Sequence, residues 1–440
     1  MVVENIYIID KLKSPIFSYK TLVIYLIALK FYFKNYLNMR QYKKLNSRGE
    51  IPKELSELNI QQENYTKTNT YSKDKMKFHI IKELFEVLLD VALIYLNYFA
   101  CIWARSGAIL AIYTNFDPKN ELTTIVVFIL IESLRSIVIE TPFSLYESFV
   151  LEERYGFNKK TFYLFVKDEV LGFILKILLN PAIMVGLTWI IDIGGKYFYI
   201  YAEIFAFILI LIFMWIYPNV IAPLFNKFSE LEEGELKQSL IKLAERVKFP
   251  LKKIYIVDAS KRTAHSNAYL YGFGNNKRIV LFDTLVNKLK QNEIEAVLCH
   301  ELGHWKYNHT LKSLVNVLLQ IFVMFYIFGF FMNNEDIFLS FGFSQKSTFI
   351  GLSLFFLIYS PISYIFEILS LRLTRKYEYE ADQFAHQMGM AEELKNGLKK
   401  LFEDNLSDMD PDSLYSEFNH SHPTMLERFK AIELLDQKQK

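Results

Sequence analysis

Two histidines and a glutamate stand within five residues, His300-Glu301-Leu302-Gly303-His304, at a spacing that suits metal chemistry. On a helix the two histidines lie one turn apart, so both imidazoles project from the same side and can hold one Zn²⁺ at about 2.0–2.1 Å. Glu301 lies between them, where its carboxylate can take a proton from a metal-bound water. The pattern predicts a zinc centre with Glu301 as general base. A chance match among ordinary surface or core residues is the alternative.

The segment around this motif is predicted to be a single helix. Ile294, Val297 and Leu298 recur at a spacing that gives the helix a buried face. We expect Asn292 to cap its N-terminus, with Glu295 reaching back three residues to close a capping box. Such a helix would present both histidines of the motif on one side.

Two histidines and a water leave a tetrahedral zinc one protein ligand short. The extended pattern HExxHxxGxxH cannot supply it, because Tyr307 stands where that pattern needs Gly and Thr310 where it needs His. His309 lies about 140° from His304 around a continuing helix, so we expect it to face away from the metal. A carboxylate from a later helix is the remaining solution.

Glu378 and Asp382 are the candidates for that carboxylate. They are separated by four residues and so share one face of a helix. One of them can ligate zinc while the other orients a ligand histidine, and the spacing leaves open which does which. Glu380 would point to the opposite side. A solvated acidic turn is the competing interpretation, but the segment follows an even number of predicted membrane spans and therefore returns to the side of the histidines.

The composition predicts a multispanning membrane protein. Of the 440 residues, 52% are hydrophobic and 16% aromatic, which is more apolar surface than one soluble core can bury. The formal net charge of +2 gives no indication of a nucleic-acid partner. The cysteines, Cys101 and Cys299, form no disulfide framework. On a helix Cys299 points about 100° away from His300, so we expect it to pack rather than to ligate.

Seven apolar segments are long enough to cross a bilayer. They lie near residues 16–36, 85–113, 123–145, 170–193, 197–218, 311–332 and 349–371. Residues 37–80 are rich in Lys and Arg, so the positive-inside rule places them in the cytosol and the N-terminus on the far side. Alternation then puts 146–169, 219–310 and 372–440 in the cytosol, and the metal close to the cytosolic interface.

Ionisable side chains inside these spans favour a hydrated interior, because charges at such depth are costly unless they are paired or wet. Ordinary helix-to-helix pairing is the alternative for any one of them. The residues concerned are Asp90, Arg105, Glu132, Arg135, Glu140, Glu203 and Glu367.

We divide the chain into four parts. Residues 1–218 hold the first five spans, 219–310 form a cytosolic α+β insert with the zinc helix, 311–371 hold the last two spans, and 372–440 form a helical part with the third ligand. In the insert we predict a helix over Glu235–Val247 and strands over Lys253–Val257, Ala268–Gly272 and Arg278–Phe282. A small sheet suits a peptidase, because an exposed edge strand can pair with an extended peptide.

With these residues in view, the chain resembles a known family, the type I CAAX prenyl endopeptidases, which are integral-membrane zinc proteases of the endoplasmic reticulum. The resemblance covers nearly all of the chain beyond the first 80 residues. The motifs that carry it, besides the zinc motif, are Thr141-Pro142-Phe143-Ser144, Glu152-Glu153-Arg154-Tyr155-Gly156-Phe157-Asn158, Pro218-Asn219, Ala222-Pro223-Leu224-Phe225-Asn226, His265-Ser266-Asn267-Ala268-Tyr269, Lys277-Arg278-Ile279-Val280-Leu281-Phe282-Asp283-Thr284, His420-Ser421-His422-Pro423 and Glu427-Arg428.

The resemblance implies an α-helical membrane protein with seven helices around a large water-filled chamber and a gluzincin-like zinc domain. It implies one Zn²⁺ per chain, held by His300, His304 and Glu378, with Glu301 as the base. It also implies that Asn267 contacts the substrate backbone and that His422 and Arg428 stabilise the transition state and order the site. By their chemistry, a His donor can stabilise an oxyanion and an Arg can hold a carboxylate. By sequence alone, capping of a turn before Pro423 is the alternative for His422. The family often has glutamine where this chain has Glu380.

We therefore predict a zinc metalloendopeptidase that removes the last three residues from farnesylated or geranylgeranylated proteins, with a second cut nearer the N-terminus of some substrates. It would lie in the bilayer of the endoplasmic reticulum, and also of the inner nuclear membrane, with its active site facing the cytosol. One alternative is a quality-control protease that clears jammed membrane proteins without requiring a prenyl group. The other is a seven-span receptor or transporter with a vestigial zinc motif.

Overall fold

The computed structural model describes residues 18–113, 117, 120–272, 274 and 276–439. The first two residues of the first predicted span and the C-terminal Lys440 lie outside them. The helices are α1 (Tyr19–Ser47), α2 (Lys53–Glu57), α3 (Gln62–Tyr95), α4 (Tyr98–Tyr113), α5 (Glu121–Tyr146), α6 (Phe162–Gly194), α7 (Phe198–Ile216), α8 (Ala222–Phe225), α9 (Glu235–Arg246), α10 (Asp283–Lys288), α11 (Gln291–Lys306), α12 (His309–Phe331), α13 (Glu335–Ser340), α14 (Thr348–Gln387), α15 (Ala391–Asp404), α16 (Ser413–Asn419) and α17 (Met425–Gln439).

Four continuous helical stretches of the described chain are long and apolar enough to cross a membrane: Glu121–Glu152, Phe162–Phe225, His309–Phe331 and Thr348–Gln387. A fifth span is counted if α3 and α4, which meet at a 64° bend, are taken as one. The apolar run of α1 is interrupted by Lys30 and Lys34, and α1 is not among these helices. The predicted number of seven spans therefore stays a prediction.

The stretch Phe162–Phe225 is a hairpin and not one rod. Gly195 has a positive φ of 50°, a conformation that glycine adopts without steric cost, and the chain reverses there. Further along, the Phe205 ring of α7 packs against Gly186 of α6, where an added Cβ would lie 3.1 Å from it. The two helices run side by side and match the fourth and fifth predicted spans.

The ionisable residues predicted inside the spans have mixed surroundings. Glu132 and Arg135 form an ion pair of 2.7 Å on α5. On the same helix, the Ser136 hydroxyl donates to Glu140 and accepts from Lys176 of α6. Pairing between neighbours thus explains part of the charge. In contrast, Glu203 Oε2 on α7 is buried without a hydrogen-bond partner among the described residues.

The soluble part contains a four-stranded sheet in the order β1-β2-β4-β3, with β1 (Phe228–Glu230), β2 (Leu251–Val257), β3 (Ala268–Tyr271) and β4 (Lys277–Phe282). β2 and β4 are parallel, and the two outer pairs are antiparallel. The three predicted strands are confirmed to within two residues, and the predicted helix Glu235–Val247 is α9. Because β3 lies at the edge of the sheet, its outer backbone groups are available to another strand.

The N-terminus of α11 differs from the prediction. The helix begins at Gln291, and the Glu293 carboxylate accepts a hydrogen bond of 2.8 Å from the Lys290 backbone N–H. Asn292 and Glu295 lie inside the helix, so the predicted capping box between them is wrong. The backbone of Lys290 is extended, and the carboxylate that reaches it comes from Glu293, three residues later.

α11 and α14 cross at their small residues. Gly303 lies against Ala381, and a Cβ added at Gly303 would be 3.0 Å from the Ala381 Cα and 3.1 Å from the Phe384 Cβ. The helices can approach so closely only because Gly303 has no side chain. This contact brings residues 300–304 of α11 opposite residues 378–382 of α14.

Candidate metal centre

Three predicted ligands converge where α11 crosses α14. His300 Nε2 and His304 Nε2 lie 3.2 Å apart. Glu378 Oε2 is 3.4 Å from His300 Nε2, and Glu378 Oε1 is 3.3 Å from His304 Nε2. A tetrahedral zinc with bonds of about 2.0–2.1 Å separates its ligand atoms by about 3.3 Å. The spacing of the three donors therefore fits a metal of this size.

The surroundings of Glu378 also fit a metal. Its side chain is buried, and Oε2 accepts no hydrogen bond of normal geometry from the described residues, although His422 Nδ1 lies 2.9 Å and Arg428 Nη1 3.6 Å from it. A buried carboxylate oxygen without a hydrogen bond is costly, and a metal between the three donors would lie closer to it than the Arg428 guanidinium does. Two imidazole nitrogens and one carboxylate oxygen are a donor set that zinc commonly takes, with a fourth position open for water.

Asp382 and Arg428 lie on the Nδ1 side of His300, opposite its donor nitrogen Nε2. Asp382 Oδ1 is 2.9 Å from His300 Nδ1, so it can accept the proton of an imidazole whose Nε2 is free for a metal. Arg428 donates from Nε and Nη2 to the two oxygens of Asp382, at 2.8 and 2.6 Å. All three side chains are buried. Of the two carboxylates left open by the sequence, Glu378 thus faces both Nε2 atoms and Asp382 faces Nδ1 of His300.

The electrostatics of α11 follow from this packing. Burial by itself lowers the pKa of His300, but hydrogen bonds to Asp382 and Glu378 outweigh it and raise the pKa to about 9. Burial raises the pKa of Glu301, and the neighbouring histidines oppose that rise. A carboxylate with a raised pKa holds an abstracted proton better than an ordinary glutamate does, as a general base must.

The other predicted site residues line one cavity of about 540 Å³ beside the three donors. Asn267, Glu301, His422 and Arg428 all contribute to its wall. Asn267 is exposed and immediately precedes the edge strand β3, and His422 is also exposed. A second cavity of about 550 Å³, lined by residues of α1 and α3, shares Asn405, Ser407, Asp408 and His420 with the first.

His309 is not one of the three donors, as predicted, but it does not point away from His304, and that part of the prediction is wrong. The geometry of a continuing helix does not apply, because α11 ends at Lys306 and Asn308 adopts a left-handed conformation with φ of 55°. His309 then begins α12 and turns back, so that its Nδ1 lies 2.9 Å from His304 Nδ1. The signal in the sequence was Asn308, since asparagine tolerates a positive φ better than most residues.

Glu380 is not one of the three donors, but it belongs to the surroundings of the site. Its Oε2 lies 2.9 Å from His309 Nε2, on the far side of His309 from His304. Sequence reasoning missed this role, because the contact depends on the turn at residues 307–308.

Comparison with known proteins agrees with this geometry. Residues 41–227 match the family model described as CAAX prenyl protease N-terminal, five membrane helices, and residues 230–436 match Peptidase family M48. The CAAX prenyl protease 1 homolog of Arabidopsis thaliana is 42% identical over 95% of this chain and 98% of its own. CAAX prenyl protease 1 of Saccharomyces cerevisiae is 35% identical over 98% of both. The crystal structure of S. mikatae Ste24p superimposes with a TM-score of 0.89 at 34% identity, covering 96% of this chain and 100% of that one.

Proposed function

We propose a reaction for this chain, which belongs to the M48 metallopeptidases and, within them, to the CAAX prenyl protease 1 family. The reaction is hydrolysis of the peptide bond whose cleavage frees the last three residues of a prenylated protein. Membership makes the chain a membrane metalloprotease and sets aside a non-enzymatic receptor or transporter. The single observation that carries the proposal is the convergence of His300, His304 and Glu378 beside Glu301 in a cavity at the edge strand.

We infer that the metal is one Zn²⁺ per chain, held by His300, His304 and Glu378. When bound, zinc supplies a Lewis acid for the scissile carbonyl and lowers the pKa of the water beside it. Glu301 takes the proton of that attacking water and passes it to the departing amine. His422, which lies next to Glu378, donates a hydrogen bond to the oxygen on which negative charge develops.

Asn267 and β3 provide the docking strand in this proposal. An extended peptide can add to the free edge of β3 by main-chain hydrogen bonds, with the Asn267 side chain meeting its backbone. Asp382 and Arg428 keep His300 in the orientation that the reaction needs. The reaction on these residues cleaves one amide bond and consumes one water.

The proposal also includes the division of the chain into four parts at residues 218, 310 and 371, seven spans, a hydrated chamber and a cytosolic active site. The hairpin of α6 and α7 supports two spans there, and the two adjoining cavities support a chamber. The basic residues of 37–80 support the cytosolic orientation. We assign the protein to the membrane of the endoplasmic reticulum, with the inner nuclear membrane as a second location and a second, N-terminal cut as a further activity.

The decisive experiment compares cleavage of a farnesylated peptide with that of its unprenylated twin by purified full-length protein, with and without a chelator. We expect chelator-sensitive cleavage that is at least tenfold faster for the farnesylated peptide. Equal, chelator-sensitive rates for both peptides would contradict the prenyl requirement and favour the quality-control protease. Cleavage that survives complete metal removal would contradict the metal mechanism.

A further inference from the structure

The two donor histidines differ in what contacts the ring nitrogen that faces away from the metal site. On the side of His300, Asp382 contacts the imidazole Nδ1 directly. On the side of His304, no carboxylate of the described residues lies within 4.0 Å of Nδ1, and the ring of His309 occupies that place instead. The opposite nitrogen of His309, Nε2, then meets Glu380 at 2.9 Å. A continuous line of polar contacts thus runs from the metal-facing nitrogen of His304 to Glu380.

Only one arrangement of protons along this line leaves His304 free to bind a metal through Nε2. Its own proton must then be on Nδ1, where it is donated to His309 Nδ1. His309 Nδ1 must in turn carry no proton, so the proton of the neutral His309 ring is on Nε2, where Glu380 accepts it. If His309 carried its proton on Nδ1, it would donate to His304 Nδ1 and place the proton of His304 on the metal-facing nitrogen.

The surroundings of His309 keep its ring in this position. The side chain is only 4% exposed, and the Tyr377 ring stacks on it with centroids 4.2 Å apart and planes 10° from parallel. The break at Asn308 is what turns the ring towards His304. Glu380 is partly exposed, and Lys376 lies 3.7 Å from it, a contact that contributes little to stability at this exposure.

We propose that His309 and Glu380 are positioning residues that hold His304 in its metal-binding tautomer and thereby strengthen metal binding. This inference rests on the metal site of the proposed function. Glu380 acts through His309 on His304, as Asp382 acts directly on His300. Partners of metal-bound histidines typically change metal affinity by roughly 10–100-fold when they are removed.

The test measures metal affinity of the purified full-length protein with Zn²⁺ alone, by competition with a chromophoric chelator. His309→Phe keeps an aromatic ring against Tyr377 but cannot accept the His304 proton, and we expect a loss of affinity of roughly 10–100-fold. Glu380→Leu should also lower the zinc affinity. Glu380→Gln should lose less, because the carboxamide oxygen still accepts the His309 proton without the charge.

Two further variants separate positioning from folding. His309→Gln should recover part of the affinity lost in His309→Phe, because its amide oxygen can accept from His304 Nδ1–H. Asp436→Asn is the matched control. Asp436 of α17 pairs at 2.7 Å with the buried His386 of α14, the helix that also carries Glu380, but away from the donors. This variant should bind zinc as the parent does. The visible spectrum of bound Co²⁺ should change in His309→Phe and Glu380→Leu and stay unchanged in Asp436→Asn.

Parental zinc affinity in both His309→Phe and Glu380→Leu would overturn the proposal, and so would an equal loss in Asp436→Asn. Failure of the parent protein to bind one Zn²⁺ would instead refute the metal site on which the proposal rests. The two failures are therefore distinguishable in one set of titrations.

Discussion

At the scale of single residues, Glu301 and Glu378 are both glutamates beside the same two histidines, but only Glu378 is in reach of both Nε2 atoms. Glu301→Gln should therefore keep one Zn²⁺ per chain and lose turnover by roughly 10²–10⁴-fold, because a carboxamide cannot take the proton of the attacking water. Metal analysis and peptide cleavage on the same sample measure both effects.

Glu378→Ala is the matched control for that variant, since it removes a carboxylate from the same site but is expected to lower the metal content as well as the activity. Near-parental turnover in Glu301→Gln would exclude Glu301 as the base. Unchanged zinc stoichiometry in Glu378→Ala would exclude Glu378 as a ligand.

The residues of the candidate metal centre were predictable to the extent that they lie on continuous helices. The spacing of His300 and His304 and that of Glu378 and Asp382 required only helical periodicity. The angle at which α11 crosses α14 decides which of the two carboxylates faces the histidine Nε2 atoms, and no local pattern in the sequence indicates that angle. His309 was mispredicted for a related reason, because one residue with a positive φ redirects everything that follows it.

At the scale of elements, the contact of α11 with α14 through Gly303 sets the distance between the histidines and Glu378. Gly303→Ala would place a Cβ 3.0 Å from the Ala381 backbone, so the helices must move apart by a few tenths of an ångström. We expect a destabilisation of about 1–3 kcal/mol from overpacking. We also expect weaker zinc binding, because the donors on the two helices separate. Thermal unfolding and chelator competition measure the two effects.

Gly397→Ala is the control for this prediction. Gly397 of α15 packs against an earlier turn of α11, where an added Cβ would lie 3.3 Å from the end of the Val297 side chain and 3.4 Å from the Glu293 backbone oxygen. The Val297 side chain can move, and none of these nearest atoms belongs to a proposed ligand or to α14, so zinc affinity should be unchanged. If Gly303→Ala bound zinc as tightly as the parent, the close approach of the helices would not be what sets the site geometry.

The predicted strands and the amphipathic helix of the soluble part are confirmed, whereas the number of seven membrane spans stays a prediction. The short run Arg278–Phe282, with the consecutive apolar residues Ile279–Leu281, and the amphipathic pattern of Glu235–Val247 each mark a single element, and both elements appear in the fold. A membrane span has no comparable internal marker of its ends. α1 carries Lys30 and Lys34 inside its apolar run, and α3 continues into α4 through a bend. Length and hydropathy alone therefore give four or five spans in the described chain instead of seven.

At the scale of the whole molecule, the adjoining cavities and the half-buried Glu203 raise the question of whether the space between the helices holds water. Lys82 lines the cavity beside α3, and Glu203 Oε2 is buried on α7 without a hydrogen-bond partner among the described residues. A carboxylate in such a place is costly in a dry bilayer interior but not beside water. A hydrated chamber that opens to the proposed cytosolic side accounts for both residues.

Single cysteines test the chamber. Lys82→Cys, Arg135→Cys and Glu203→Cys should react with a membrane-impermeant, water-soluble thiol reagent in detergent. The control positions are Ile208 and Leu319, large apolar side chains that are 48% and 58% exposed on the outside of the fold and should face lipid. Cys101 must be replaced because it is exposed. Cys299 can stay, since burial raises the pKa of its thiol to about 12 and keeps it unreactive.

We expect labelling of the three charged positions to be at least tenfold faster than labelling of the two apolar ones. The detergent covers the lipid-facing surface of the purified protein, so a water-soluble reagent distinguishes the interior from the outside. Equal, slow labelling at all five positions would mean that the interior is packed and dry. The chamber would then have to be abandoned, and a substrate would have to reach the metal centre along the surface, past the free edge of β3.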